Sequence, residues 1–329
     1  MCQPRRRPDA APDAKRPNRK TALTASLLAG IGVLALCGGL IVATHSGQPR
    51  RELKTETAPH RPHPGATDAP PPSRAAPSPP TRPTETRPAY GAETDPAQTL
   101  PRNAINAPEL SATTPETCAL PPFDSSSSGQ QAFYQASLTC LNGTWEPLLR
   151  AAHLPFEPAD VITVTNPIDT PCGSRSPTQT ALYCNGTLYM TSAYYRDVER
   201  HGEAGVYFGQ VAHEYGHHVQ ELAGIMDASW RQRATDRGNA AARNETSRRL
   251  ELQATCYGGM FLAAIRDTGA VEPKLLDEAL DDAGQRGDYG DGPRSHGTPE
   301  SNAAWVRQGH EKNRTYQCNT WMADPETVN

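Results

Sequence analysis

The sequence predicts an α+β domain, a small hairpin or sheet followed by several helices. Three observations predict it. Residues 181–190, ALYC-NG-TLYM, set two apolar-rich arms around Asn185-Gly186, a pair suited to a type I′ turn. From Ala204 the spacing turns helical, with Val206, Gln210, His213 and His217 on one face. Further on, Pro273 and the Thr298-Pro299-Glu300 run each mark a helix start, with Thr298 as cap and the proline at the first helical position.

The elements follow in order. Residues 130–140 and 145–153 read as two helices, the second capped by Thr144 after the Asn142-Gly143 break. VITVTNP at 161–167 reads as a strand closed by proline, and the hairpin comes next. A helix spans 204–222, with Gly224 as its stop. A second starts near Thr246 and runs to Asp267, with Gly269 beyond it. A third covers 273–283, and a fourth opens at Thr298. No internal repeat is visible.

This domain occupies only part of the 329 residues. Residues 21–44 carry no charged side chain and are long enough to span a hydrocarbon core as a helix. The preceding tail, 1–20, holds seven Lys and Arg against Asp9 and Asp13, which keeps it cytoplasmic and places the rest of the chain outside the cell. Val42-Ala43-Thr44 matches a signal-peptidase site poorly, so an uncleaved single span is the expectation. Residues 45–115 hold fifteen prolines between Pro59 and Pro115 and almost no large apolar residue, and are read as an extended, disordered stalk. Residues 116–329 form the expected extracytoplasmic domain. Its 17 Lys and Arg against 27 Asp and Glu leave −10, which argues against nucleic acid as a partner. Six of the eight cysteines fall in this domain, an even number fit for up to three disulfides in an oxidising compartment. Cys172 and Cys184 flank one short loop and are the pairing the sequence suggests.

Chemistry concentrates in VAHEYGHHVQEL, residues 211–222. His213, Glu214 and His217 spell H-E-x-x-H. Two imidazoles four apart on a helix converge on one zinc ion, and the glutamate between them can reach a water without being a ligand. His218 lies about 100° further round the helix and is read as packing or surface. A catalytic zinc takes three protein ligands and keeps one position open. Gln220 and Ala223 stand where H-E-x-x-H-x-x-G-x-x-H needs its glycine and third histidine, so the third ligand comes from elsewhere. Glu251, on the next helix, is the best candidate, with Glu221, Glu245, His296 and His310 as rivals.

HEYGHHVQ, LELQATCYGG and SHGTPESNAAWVRQGHE, in that order, resemble the three signature blocks of the putative neutral zinc metallopeptidase family, over roughly residues 115 to 318. The resemblance implies a zincin-like fold in a membrane-anchored or secreted protein. It implies His213, His217 and Glu251 as ligands of Zn²⁺ and Glu214 as catalytic residue. The family commonly reads L-Q-A-D-C after the ligand glutamate, whereas Thr255 takes the aspartate's place here. An aspartate one turn on could hold a ligand histidine, whereas threonine brings no charge. His296, on a loop before a helix, is a candidate donor to the oxyanion of a tetrahedral intermediate, with Tyr194 and Tyr195 as weaker ones.

The expected activity is hydrolysis of peptide bonds in a peptide or protein substrate, with Glu214 as general base. Such a substrate could lie along the strand at 187–191. The alternative is a non-catalytic cell-surface binding or structural module whose zinc is structural or absent.

Overall fold

The computed structural model describes residues 99–113, 117–269, 271–290 and 292–329. The expectations for 1–20, 21–44 and the stalk up to residue 98 lie outside the described residues. Among the described residues no helix is long and apolar enough to cross a membrane. The described chain is α+β, with helices α1 (Ser127–Ala151), α2 (Ala204–Leu222), α3 (Ile225–Thr235), α4 (Ala240–Ile265), α5 (Pro273–Gln285) and α6 (Pro299–Lys312). The strands are β1 (Asp160–Val164), β2 (Ile168–Thr170), β3 (Gly173–Arg175), β4 (Leu182–Cys184) and β5 (Thr187–Thr191).

The segment 99–113, read from sequence as stalk, belongs to the folded part. Leu100, Ile105 and Leu110 are buried in the core. The Asn103 side chain donates to the Ala223 carbonyl, and the Thr113 hydroxyl meets the side chain of Asn313. Proline content points to a linker, but a few apolar anchors spaced along the segment are enough to fix it.

Helix α1 is one helix where the sequence suggests two. Ser126 caps it, accepting from the Gly129 amide. The Asn142-Gly143 break does not end it, because its buried face runs on through Leu141, Thr144, Trp145 and Leu148. Asn142 accepts a hydrogen bond from the Tyr215 hydroxyl at 2.8 Å, and Thr144 is buried rather than capping. Tertiary contacts here override local propensity.

The main sheet has the order β1-β5-β4. β1 runs parallel to β5, with Asp160 opposite Thr187, and β4 pairs antiparallel, with Leu182 opposite Tyr189. Asn185 and Gly186 turn the hairpin with φ of 46° and 82°, as a type I′ turn requires. β5 is therefore the central strand. The expectation that a substrate pairs along 187–191 is overturned, since that strand already has a partner on each side. β2 and β3 form a separate hairpin. Disulfides join Cys118 to Cys140, Cys172 to Cys184 and Cys256 to Cys318.

Helix α2 has the predicted bounds, and Gly224 follows it at φ 73°. That glycine stops α2 but opens α3 immediately, a helix that buries only Ile225, Ala228 and Ser229 and so leaves little periodic signal in the sequence. Helix α4 starts at Ala240, earlier than Thr246, because the Asn239 side chain caps it by accepting from the Ala242 amide. α4 is the central helix, buried along Leu252, Ala254 and Cys256 through Leu262, and it packs against α2, α3 and α6.

Glycines set how closely these helices approach. A Cβ on Gly216 of α2 would lie 2.7 Å from the Ala254 carbonyl oxygen and 2.9 Å from its Cα. Gly259 of α4 and Gly309 of α6 sit tighter still against the backbone of Val306 and Cys256. Backbone cannot yield as a side-chain tip does. Gly216→Ala is expected to cost about 1–3 kcal/mol, read as a lower urea midpoint, whereas Gly238→Ala, where a Cβ meets open space, changes it little. An unchanged midpoint for Gly216→Ala would contradict the close α2–α4 contact.

Candidate metal centre

His213 and His217 are one turn apart on α2, with ring centroids 4.9 Å apart. The close approach at Gly216 brings α4 alongside, and Glu251 enters between the rings. Its Oε2 lies 3.4 Å from His213 Nε2 and 3.2 Å from His217 Nε2. One donor atom from each of the three residues falls within 4.8 Å of the others. Two imidazole nitrogens and a carboxylate oxygen are a donor set that suits zinc.

The tautomer of His217 follows from its surroundings. The Gln220 amide nitrogen donates to the Leu250 carbonyl at 2.8 Å, and a carbonyl can only accept. Its oxygen is thereby turned to His217 Nδ1, 2.9 Å away, so Nδ1 carries the hydrogen. Nε2, the nitrogen facing Glu251, is left to bind a proton or a metal. Gln253 and Trp321 extend this buried network behind the ring.

Electrostatics agree. Burial pulls the His217 pKa down, but the carboxylate of Glu251, its hydrogen bond and the charge of Glu214 outweigh burial and raise it to about 9. Burial pushes Glu251 up, but His217 and His213 together hold it well below the usual carboxylate range. Without a metal, these shifts favour a protonated His217 facing the ionised Glu251.

The other sequence candidates are placed as follows. Glu214 follows His213 on α2 and is buried, and its charge acts on both His217 and Tyr195. His296 lies on the loop before α6, largely exposed, and its imidazole contributes to the low pKa of Glu251. Its Nδ1 meets Asp288 Oδ1 at 3.3 Å, and the same carboxylate accepts from the amides of Ser295 and His296. Tyr195 is fully buried with its hydroxyl on Gln210 and the Ala181 amide, so it does not face a substrate.

The rivals for the third donor lie elsewhere. Glu221 accepts from the Tyr183 hydroxyl, Glu245 pairs with Arg249, and His310 contacts Arg266. His218 is engaged by the Glu157 carbonyl and Tyr183. Thr255 reaches His213 Nδ1 at 3.2 Å. Sequence reasoning missed Gln220, Asp288 and Asn302. Gln220, three residues past His217 on the same helix, had a readable spacing, whereas the other two depend on loop and helix packing.

The profile of the family described as putative neutral zinc metallopeptidase matches residues 112–321. The chain is 29% identical over 206 residues to the uncharacterized protein YpfJ of Escherichia coli strain K12, covering 57% of this chain and 70% of that one. It is 26% identical over 209 residues to the uncharacterized protein Rv2575 of Mycobacterium tuberculosis strain H37Rv, covering 56% and 68%. No solved structure matches.

The paired shifts give the metal-free fold a pH signature. His217 has a folded pKa of about 9 against an ordinary 6.5, so its contribution is full below pH 6.5 and lost as pH rises through about 9. Glu251 has a depressed pKa, so its contribution is present above its ordinary 4.5 and lost as pH falls. Chelated protein is therefore expected to melt at highest temperature between about pH 4.5 and 6.5 and to lose stability toward about pH 9. Glu251→Gln should remove the alkaline loss. An equal loss in that variant would assign it to another group.

Proposed function

The chain belongs to the putative neutral zinc metallopeptidase family, and from that premise we propose that it hydrolyses peptide bonds with zinc held by His213, His217 and Glu251. The observation that carries this reading is the convergence of two Nε2 atoms and a carboxylate oxygen from two packed helices. Glu214 stands one residue along and takes no part in that donor set. An H-E-x-x-H helix completed by a carboxylate from a later helix is a zincin-like arrangement, and we assign the domain to that fold.

Zinc in such a site supplies a Lewis acid, polarising a substrate carbonyl and easing the loss of a proton from water. The chain's own residues do the rest. Glu214 takes the proton from the attacking water and returns it to the leaving amide nitrogen. With Nδ1–H on the Asp288 carboxylate, His296 donates from Nε2 in its doubly protonated imidazolium form, to the carbonyl oxygen as negative charge develops there. Asp288 fixes that ring through Nδ1 and holds its loop through two amides. Gln220 keeps His217 presenting Nε2 to the centre. The proposal includes residues 21–44 as a single membrane span, with the domain outside the cell. Three disulfides support an oxidising compartment.

The test is cleavage of an unfolded protein by the zinc-loaded chain, its loss on chelation and its return with added zinc. Glu214→Gln is expected to retain zinc and lose about 100- to 10,000-fold in rate. Undiminished cleavage by that variant would remove Glu214 from its role. Absence of cleavage by the zinc-loaded parent would remove the peptidase reading.

A further inference from the structure

We propose that Thr255 and Asn302 form a neutral positioning pair that fixes the His213 ring with Nδ1 protonated, and that this pair ties the ring to the loop carrying His296. The inference rests on reading the centre as a metal site, but its geometry stands independently.

Backbone carbonyls can only accept. The Asn302 amide nitrogen donates to the carbonyl of His296 at 2.9 Å and to that of Thr298 at 3.1 Å. The amide is thereby oriented, and its oxygen faces Thr255, 3.2 Å from the hydroxyl. The Thr255 hydroxyl has a single hydrogen, and Asn302 Oδ1 takes it. What Thr255 then presents to His213 Nδ1, at 3.2 Å, is a lone pair. His213 Nδ1 must carry the hydrogen, and Nε2, which faces Glu251, is left as the donor atom. The same logic fixes His217 through Gln220 and the Leu250 carbonyl. The two rings are oriented independently, each by a neutral side chain anchored on carbonyl oxygen.

Position explains why these residues serve. Thr255 lies four residues past Glu251 on α4, so one face of one helix supplies the third donor and orients the first. Asn302 lies on α6, which Gly259 and Gly309 allow to lie close against α4. Thr255 is 5% and Asn302 3% exposed, so water does not compete for these bonds. A buried hydrogen bond of this kind is expensive to leave half made. Because one amide holds both the His213 relay and the His296 carbonyl, metal donor and loop share a single anchor.

The experiment measures zinc affinity of the full chain by competition with a chelator, and the ¹⁵N shifts of the His213 ring in the metal-free chain at pH 10. Thr255→Val keeps shape and removes the hydroxyl; Thr255→Ser restores it. Thr255→Val is expected to bind zinc 10- to 100-fold more weakly and to show a mixture of His213 tautomers. Thr255→Ser should stay within about threefold of the parent, a split that loss of packing alone would not give. Asn302→Leu should behave as Thr255→Val does. The inference is overturned if Thr255→Val keeps parental affinity and a pure Nδ1–H ring, or if serine fails to rescue. If the parent binds no zinc, the metal reading fails, and the tautomer comparison alone still decides the positioning claim.

Discussion

The approach of α2 to α4 at Gly216 is the constraint on which the site depends. His213 and His217 ride on one helix and Glu251 on the other, so their separation is set by how closely two backbones can lie. With Ala254 directly beneath Gly216, no side chain intervenes, and a carboxylate from α4 reaches both imidazoles at 3.2 to 3.4 Å. The device is repeated between α4 and α6 through Gly259 and Gly309, where it delivers Asn302 to Thr255. The Cys256–Cys318 disulfide joins α4 to the segment after α6, one residue beyond Thr255. The stack α2–α4–α6 thus carries donors, orienting groups and the anchor of the His296 loop together.

Such a cluster is costly to bury unless its charges cancel. In the metal-free protein a protonated His217 facing an ionised Glu251 does this, which is why one pKa rises while the other falls. A divalent cation in the same place would displace that proton, so metal affinity and acidity are coupled in this site. The neutral partners of the rings, Gln220 and Thr255, add orientation without adding charge.

Much of this was legible in the sequence, and the failures have physical causes. Helix α2 and its H-E-x-x-H face were readable because apolar periodicity and the stop at Gly224 agree. The hairpin was readable because Asn185-Gly186 suits one turn type. Glu251 was only one of several candidates from the residues alone, since which carboxylate meets α2 depends on helix packing. The same dependence hid Asn302 and Asp288. Helix α1 was split in two because a local break signal was weighed without the buried face that runs past it. The central place of β5 was missed because the strand β1 that pairs with it comes from an earlier segment, through a parallel contact that no turn announces. Residues 99–113 were assigned to the stalk on proline content, while Leu100, Ile105 and Leu110 anchor them in the core.

The central claim is that three donors on two helices hold one zinc. The most direct measurement is the zinc content of the purified, dialysed chain, parent beside Glu251→Ala, with circular dichroism to show that both are folded. The account predicts about one zinc per chain for the parent and a folded variant that has lost it. A folded Glu251→Ala that keeps the parent's zinc would contradict it.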